Sequence, residues 1–135
     1  MANENVIKEI KTEYSVRDGG HYTPGMAYNG VLYISGQLSI NPETGKIPEG
    51  GIREEAKQAL ANLDLVLKEA GIDKNHVIHC RVYLPDVKYW GDLNEEYAKY
   101  FGDHKPARVV PLCQVGAKKF FKFFKKRDIP MVYTF

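Results

Sequence analysis

Residues 52–84, IREEAKQALANLDLVLKEAGIDKNHVIHCRVYL, contain the two periodicities from which the fold class follows. In the first half, apolar residues recur every three or four positions, namely at Ile52, Ala56, Leu60, Leu63, Leu67 and Ala70. This spacing predicts an amphipathic helix, and Gly71 suits the position just after its end. Over residues 77–84 apolar and polar side chains alternate, which predicts a half-buried strand.

Further elements are predicted on both sides of this helix and strand. After Pro85, Asp86 is a candidate cap for a second helix, which Gly102 closes and whose apolar stripe is Tyr89, Leu93, Tyr97, Tyr100 and Phe101. Strands are predicted at residues 6–10, 31–35, 109–115 and 131–135, and Pro111 favours a sheet edge or a bulge for the third of them. The predicted class is α+β, with one mixed β-sheet that carries both helices on one face. Residues 1–135 are expected to form a single domain, and the other face of its sheet needs a cover, for which another copy of the chain is expected.

The composition is that of an ordinary globular domain. Of the 135 residues, 44% are hydrophobic and 27% are charged, and no apolar run approaches the length of a membrane span. Residues 1–5 do not have the character of a signal peptide, so we expect a cytoplasmic protein that makes no membrane contact. In that compartment Cys80 and Cys113 are expected to be free thiols.

The charge is distributed unevenly along the chain. Residues 1–103 contain 11 basic and 16 acidic side chains, whereas residues 104–135 contain 8 basic side chains and one acid. Much of the basic charge lies in residues 118–127, where Lys is interleaved with Phe. Such a segment could bind nucleic acid through phosphate contacts and stacking. A terminal strand with packed Phe and solvated Lys side chains is the simpler interpretation, so nucleic acid is not the expected partner.

Arg108 is the main candidate for a binding residue. It opens an apolar run, and no acidic residue lies between it and Asp128 in the sequence. A guanidinium can hold a carboxylate with two parallel hydrogen bonds, so Arg108 is a candidate receptor for a small anion. Tyr22, Ser35 and Asn94 are polar candidates to accompany it. Each of these three also fits an ordinary role in a loop, a turn or a solvated helix face.

The sequence predicts neither a metal site nor a cofactor. His76 and His79 lie three positions apart at the start of a strand, where their side chains diverge. No glycine-rich loop stands between a strand and a helix in the manner of a phosphate-binding motif. Cys80 lies on the apolar face of its predicted strand and is expected in the core rather than as a nucleophile.

A series of short motifs occurs in a defined order. The motifs are Gly20-His21-Tyr22, Tyr33-Ile34-Ser35-Gly36-Gln37 with Asn41-Pro42-Glu43-Thr44-Gly45, Asn62-Leu63, Ala70-Gly71, Val82-Tyr83-Leu84 with Asp86, Asn94-Glu95-Glu96-Tyr97 with Phe101, and Pro106-Ala107-Arg108. Together they resemble the RidA/YjgF family of enamine/imine deaminases, whose older names include translation-initiation inhibitor and L-PSP endoribonuclease. The resemblance covers roughly residues 6–110, and its Ser-Gly-Gln and Pro-Ala-Arg segments are the most specific.

This resemblance implies a chorismate-mutase-like fold that assembles as a homotrimer, with the sheets inward and the sites in clefts between subunits. Arg108, Tyr22 and Ser35 would be the catalytic residues. Arg108 would hold the substrate carboxylate, and Asn94 and the backbone around Gly36 would also bind the substrate. The implied reaction is the hydrolysis of 2-imino acids to 2-keto acids and ammonia, without a cofactor.

From about Leu112 onward the resemblance fades, so residues 112–135 depart from the family pattern. Residues 119–125, KFFKFFK, stand where the family carries a Glu-Ile-Glu-like core, one of whose carboxylates would orient the attacking water. Its loss predicts weaker hydrolysis, because a positioned proton-transfer group contributes about 10²- to 10⁴-fold. Glu95 or Glu96 from another subunit could replace it. Three functions remain open: a 2-iminobutanoate/2-iminopropanoate deaminase, a non-catalytic trimer that binds small 2-keto acids, and a ribonuclease-like translation inhibitor.

Overall fold

The strands and helices are known from a computed structural model that describes residues 5–13, 20–112 and the backbone of residues 131–134. The strands are β1 (Lys8–Ile10), β2 (Gly25–Tyr28), β3 (Val31–Gln37), β4 (His79–Tyr83), β5 (Ala107–Val109) and β6 (Met131–Thr134). The helices are α1 (Ile52–Glu69) and α2 (Trp90–Phe101). Short 3₁₀ turns at Lys74–His76 and Val87–Tyr89 precede β4 and α2.

The strands form one sheet in the order β1-β2-β3-β6-β4-β5. The pairs β1–β2, β2–β3, β3–β6 and β4–β6 are antiparallel, whereas β4 and β5 are parallel. The predicted mixed sheet is therefore confirmed. β6 comes last in the sequence but lies in the middle of the sheet, where Thr134 pairs with both Ile34 and Cys80.

Helix α1 has the predicted bounds because its apolar stripe packs on the sheet. Its buried apolar side chains are Ala56, Ala59, Leu60, Leu63, Val66 and Leu67. Gly71 follows the helix with a φ of 77°, in the left-handed region that glycine adopts without strain. The N–H of Gly71 donates to the carbonyl of Lys68 and that of Ile72 to Leu67, which satisfies two carbonyls of the last turn.

Two contacts fix α1 against the sheet and the loop after β3. Gly25 in β2 lies under the helix, and a Cβ there would come within 3.1 Å of Val66, so a side chain would push the layers apart. On the helix, the Asn62 amide donates to the carbonyls of Leu38 and Ile40, at 2.8 and 2.9 Å. These bonds hold the chain where it leaves β3.

The second helix is also confirmed, with a difference at its start. Asp86 accepts a hydrogen bond from the N–H of Lys88 at 2.9 Å, so it caps the 3₁₀ turn, and α2 proper begins four residues later at Trp90. The Tyr100 hydroxyl donates to Asp64 of α1 at 2.8 Å, which joins the two helices. Neither described helix is both long and apolar enough to cross a bilayer.

The strand predicted at residues 109–115 was placed too late in the sequence. β5 spans Ala107–Val109, so Arg108 lies within the strand instead of before it. Pro111 has no N–H to donate to a ladder, but its carbonyl accepts the N–H of Leu84 at 3.1 Å. β5 is the last strand in the described order of the sheet, which agrees with the edge position that Pro111 favoured. Residues 113–115 of the predicted strand lie outside the described residues. The first strand is likewise shorter than the predicted 6–10, at Lys8–Ile10.

The two faces of the sheet differ in exposure. The helix-covered face buries Ile10, Ile34, Cys80, Val82 and Leu84 with the helix side chains in one core. The opposite face exposes large side chains to between 41% and 53% of their surface, namely Tyr28, Val31, Tyr33 and Val109. In the part of one chain that the structure describes, an aromatic and aliphatic surface is therefore uncovered. The sequence analysis expected another copy of the chain to cover this face.

Candidate functional site

Arg108 lies at the edge of the sheet on the face covered by the helices. In the parallel ladder it stands opposite Cys80, so both side chains project to the same side. Cys80 is fully buried beneath the helix layer, whereas Arg108 on the last described strand stays half-buried. This position brings the guanidinium against α2 while part of it remains accessible.

Three side chains of α2 contact the Arg108 guanidinium. Trp90, Asn94 and Tyr97 are spaced by four and three residues, which places them on one face of the helix. The side-chain oxygen of Asn94 accepts a hydrogen bond from Nη2 at 2.8 Å. The guanidinium carbon lies 5.1 Å from the centre of the Tyr97 ring and 5.7 Å from that of Trp90. Arg108 is thus held by a neutral acceptor and two aromatic rings.

The charge of Arg108 has no acidic partner within the part of the chain that the structure describes. The ion pairs found there involve other basic residues, and the hydrogen bond to Asn94 brings no negative charge. A half-buried guanidinium gains most from a carboxylate, with which it forms short, charge-assisted bonds. The arrangement is therefore suited to binding an anion.

Cys80 and Tyr97 lie beside Arg108 but are poor proton carriers at neutral pH. Burial raises the pKa of the Cys80 thiol to about 11, and the nearby Tyr97 hydroxyl and the charge of Arg108 offset only part of this rise. Burial likewise raises the pKa of the Tyr97 phenol well above its usual value. Both groups remain protonated near pH 7, so neither supplies a base or a nucleophile. This agrees with the expectation that Cys80 belongs to the core.

The other candidates, Tyr22, Ser35 and Gly36, form a second group. The Ser35 hydroxyl donates a hydrogen bond to the carbonyl of Thr23 at 2.6 Å. The backbone N–H of Ser35 donates to the carbonyl of Pro24 at 3.0 Å. These bonds tie the loop that carries Tyr22 to β3, where the pairing with β6 shifts register between Ile34 and Gln37. The Tyr22 side chain is 53% exposed. The group is polar, accessible and located where regular sheet pairing stops.

The two groups are not neighbours within one chain. β6 and β4 lie between β3 and β5, so three strand spacings of about 4.8 Å, roughly 14 Å in total, separate Ser35 from Arg108. The structure brings Arg108 to Asn94 and Ser35 to the Tyr22 loop, but it does not bring these pairs together. Within the described residues of one chain, the five candidate residues therefore form two separate polar groups.

The acidic residues next to Asn94 are engaged by Arg53 on α1. Nη2 of Arg53 lies 2.9 Å from Oδ1 of Asp92. Its Nη1 lies 2.7 Å from Oε2 of Glu95 and 3.3 Å from Oε1 of Glu96. Glu96 is buried and also lies 3.1 Å from Lys99. Burial opposes ionisation of Glu96, but these cations outweigh it and lower the pKa of the carboxyl. Within one chain, then, Glu95 and Glu96 pair with α1 and are not directed at Arg108.

Trp90 and Tyr97 are contacts of Arg108 that the sequence analysis did not assign to the site. Tyr97 was assigned to the apolar stripe and to the motif Asn94-Glu95-Glu96-Tyr97 but given no role at the site, and Trp90 was not named. Their spacing relative to Asn94 was the available signal, because residues four before and three after a helical position share its face. What the spacing could not indicate is which strand lies opposite that face.

A separate concavity of about 340 Å³ lies away from these residues. It is bounded by the first three strands, the end of α1 and the loop before β4, and its lining is mainly aliphatic, with Lys8 and His76 among it. None of the five candidate residues lines it. Among the described residues, no group of three or more His, Cys, Asp or Glu side chains is placed to hold a metal ion.

Comparison with known proteins identifies relatives over most of the chain. A sequence model of the Endoribonuclease L-PSP family matches residues 12–120, a span that includes all five candidate site residues. A RutC family protein from Aquifex aeolicus is 42% identical over 115 residues, which cover 84% of this chain and 88% of that protein. A 2-iminobutanoate/2-iminopropanoate deaminase from Mus musculus is 42% identical over 105 residues, 78% of each chain. The crystal structure of a Rid family protein from Yersinia pestis aligns with a TM-score of 0.80 at 27% identity, over 96% of this chain and 100% of that one.

Proposed function

The chain belongs to the Endoribonuclease L-PSP family, also called RidA/YjgF, and from this membership we propose that it hydrolyses 2-imino acids to 2-keto acids and ammonia. The observation that carries the proposal is the half-buried guanidinium of Arg108, which is held by the neutral side chain of Asn94. That arrangement suits a substrate carboxylate. Mammalian relatives named 2-iminobutanoate/2-iminopropanoate deaminase, at about 40% identity, support the choice of reaction.

The proposed mechanism uses binding and electrostatics. Arg108 grips the carboxylate of the substrate, fixes the neighbouring imine carbon and withdraws charge from it. Water adds to the protonated C=N bond, and one of its protons moves from the attacking oxygen to nitrogen. The C–N bond then breaks as the C=O bond forms, and the remaining hydroxyl proton passes to the departing ammonia. The products are the 2-keto acid and ammonium. Because imines hydrolyse in water without help, a modest reduction of the barrier is enough.

We further propose that the catalytic site is completed by assembly of a homotrimer with a chorismate-mutase-like fold, each subunit a single domain over residues 1–135. Two observations support this. Strand β3, which carries Ser35 and Gly36, lies three strand spacings, roughly 14 Å, from the strand of Arg108 within one chain. The sheet also exposes Tyr33 and its neighbours on the face opposite the helices, where an adjacent subunit would bury them. In the trimer, Tyr22, Ser35 and the Gly36 backbone of one subunit would face Arg108 and Asn94 of the next.

The test is a coupled assay. A pyridoxal-phosphate threonine dehydratase generates 2-iminobutanoate, semicarbazide traps the imine, and the protein competes with the trap if it is a deaminase. Arg108→Ala should remove the competition. Lys68→Ala, which removes an exposed cation on α1, is the matched control and should leave it unchanged. Competition that survives Arg108→Ala would refute the proposed role of Arg108.

A non-catalytic 2-keto-acid binder is the second candidate, and one observation favours it. Within the described residues the contacts of Arg108 are Asn94, Trp90 and Tyr97, and none of these is a base at neutral pH. The segment of residues 119–125, where the family's acid would lie, is outside the described residues and contains no acid in its sequence. Binding of 2-oxobutanoate that requires Arg108, together with no competition in the coupled assay, would establish this alternative.

A further inference from the structure

The indole of Trp90 is the accessible aromatic ring next to Arg108, the proposed anion-binding residue. Trp90 is the single tryptophan of the chain, and 46% of its surface is exposed. Tyr97, the other ring against the guanidinium, is only 4% exposed. Both rings lie within 6 Å of the Arg108 guanidinium carbon. A ligand that reaches Arg108 therefore meets the indole and not the phenol.

The direction from which a carboxylate approaches Arg108 follows from the shape of the guanidinium. Its five N–H groups lie in one plane, and Asn94 takes a hydrogen bond from Nη2. A carboxylate binds in that plane along a remaining edge, so its α carbon and side chain extend outward from the guanidinium. Because Tyr97 is covered by the core, Trp90 is the aromatic ring that Arg108's own chain offers for that side chain to contact.

We propose that Trp90 is a specificity-determining residue, whose indole packs against the apolar side chain of a 2-imino acid held by Arg108. Larger aliphatic or aromatic side chains are then favoured over short ones. The identity of the substrate as an imino acid rests on the proposed function. The contact itself applies to any 2-substituted small carboxylate.

The size of the preference can be bounded. Compared with 2-oxobutanoate, 4-methyl-2-oxopentanoate carries two more carbons on its side chain. Burial of a methylene against an apolar surface, and the discrimination that hydrophobic pockets reach, predict a preference of about tenfold at a half-open site. The indole also contributes to holding Arg108, so its loss should weaken binding of either acid by about threefold.

The experiment uses the full chain and these two 2-keto acids, which are products and cannot be deaminated. Isothermal titration calorimetry gives the dissociation constants, and the fluorescence of Trp90 reports occupancy of the Arg108 site. We expect 4-methyl-2-oxopentanoate to bind about tenfold more tightly than 2-oxobutanoate. Trp90→Ala should reduce this ratio towards one, whereas Trp90→Phe should retain most of it. Val87→Ala removes an exposed apolar side chain near the start of α2 and should not change the ratio.

The outcomes separate this proposal from the one on which it rests. Equal binding of both acids by the unmodified protein, or a ratio that Trp90→Ala leaves unchanged, overturns the role of Trp90 and leaves the Arg108 receptor intact. Failure of both acids to bind overturns the receptor and the role of Trp90 together. A circular-dichroism melting curve of Trp90→Ala, expected to match the unmodified protein because the indole is half-exposed, shows that the fold is retained.

Discussion

The side-chain oxygen of Asn94 lies 2.8 Å from Nη2 of Arg108, so a neutral group orients the guanidinium. An aspartate at the same place would orient it equally well but would also neutralise its charge. Since the amide orients Arg108 and leaves the charge uncompensated, the pair is suited to an anion supplied from outside the chain. This hydrogen bond joins α2 to β5, the last strand of the described sheet.

Asn94→Asp should therefore impair ligand binding without disturbing the fold. The substituted carboxylate would pair with Arg108 and compete with the ligand carboxylate, so we expect the affinity for 2-oxobutanoate to fall at least tenfold. Calorimetric titration measures this. Asn75→Asp introduces the same charge at an exposed position before β4 and should leave the affinity within about twofold. Unchanged affinity in Asn94→Asp would mean that the ligand does not bind at Arg108.

The buried thiol of Cys80 should make the protein less stable in alkali. Its pKa is raised from 9.0 to about 11 in the folded chain, chiefly by burial, so the unfolded chain loses this proton at a lower pH than the folded one. The stability from this group is fully present below pH 9 and declines as the pH rises from 9 towards 11. By linkage, the loss at pH 10.5 is about 2 kcal/mol relative to pH 8.

Urea unfolding of the unmodified protein and of Cys80→Ala at these two pH values isolates this effect. Tyrosine and lysine residues titrate in both proteins, so the difference between the two pH dependences belongs to Cys80. We expect a shallower decline in Cys80→Ala, although its absolute stability will be lower because of the cavity. Parallel declines would show that the thiol ionises equally easily in the folded and unfolded chains.

Two leucines on α1 should differ in their contribution to stability. Leu63 is fully buried in the apolar stripe, whereas Leu65, two residues on, is 37% exposed. Leu63→Ala removes core contacts and leaves a cavity, which should cost about 3 kcal/mol. Leu65→Ala on the same helix should cost less than about 1 kcal/mol. Chemical unfolding measures both, and equal losses would contradict the packing of α1 on the sheet.

The helices and β4 could be predicted because their signals are local. The apolar stripe from Ile52 to Ala70 follows the period of a helix with one buried face. The alternation of apolar and polar side chains before Pro85 follows the period of a strand with one buried face. β5 was predicted two residues late because the apolar run after Arg108 was taken as the strand. The start of β5 is set by its pairing with β4, where Arg108 stands opposite Cys80. Cys80 is distant in sequence, so no local pattern indicates this pairing.

The arrangement of the candidate site was less predictable for a related reason. The motif containing Ser35 and the one containing Arg108 were both recognised, yet the distance between them depends on which strands lie between β3 and β5. β6 enters the middle of the sheet from the end of the chain, and no local pattern near Ser35 or Arg108 indicates this. Recognising the two motifs therefore did not by itself give the distance between them within one chain.

That separation leads to a complementation prediction. If the proposed trimer shares its site between neighbouring subunits, Arg108→Ala and Tyr22→Ala should each abolish deamination, because each removes one half of that site. When the two variants are unfolded, mixed in equal amounts and refolded, some interfaces will combine an intact Arg108 from one subunit with an intact Tyr22 from the next. In a randomly mixed cyclic trimer, about a quarter of the sites meet this condition, so about a quarter of the unmodified activity should return. Refolding each variant alone is the control, and a mixture that stays inactive while the unmodified protein regains activity by the same procedure would contradict a site shared between subunits.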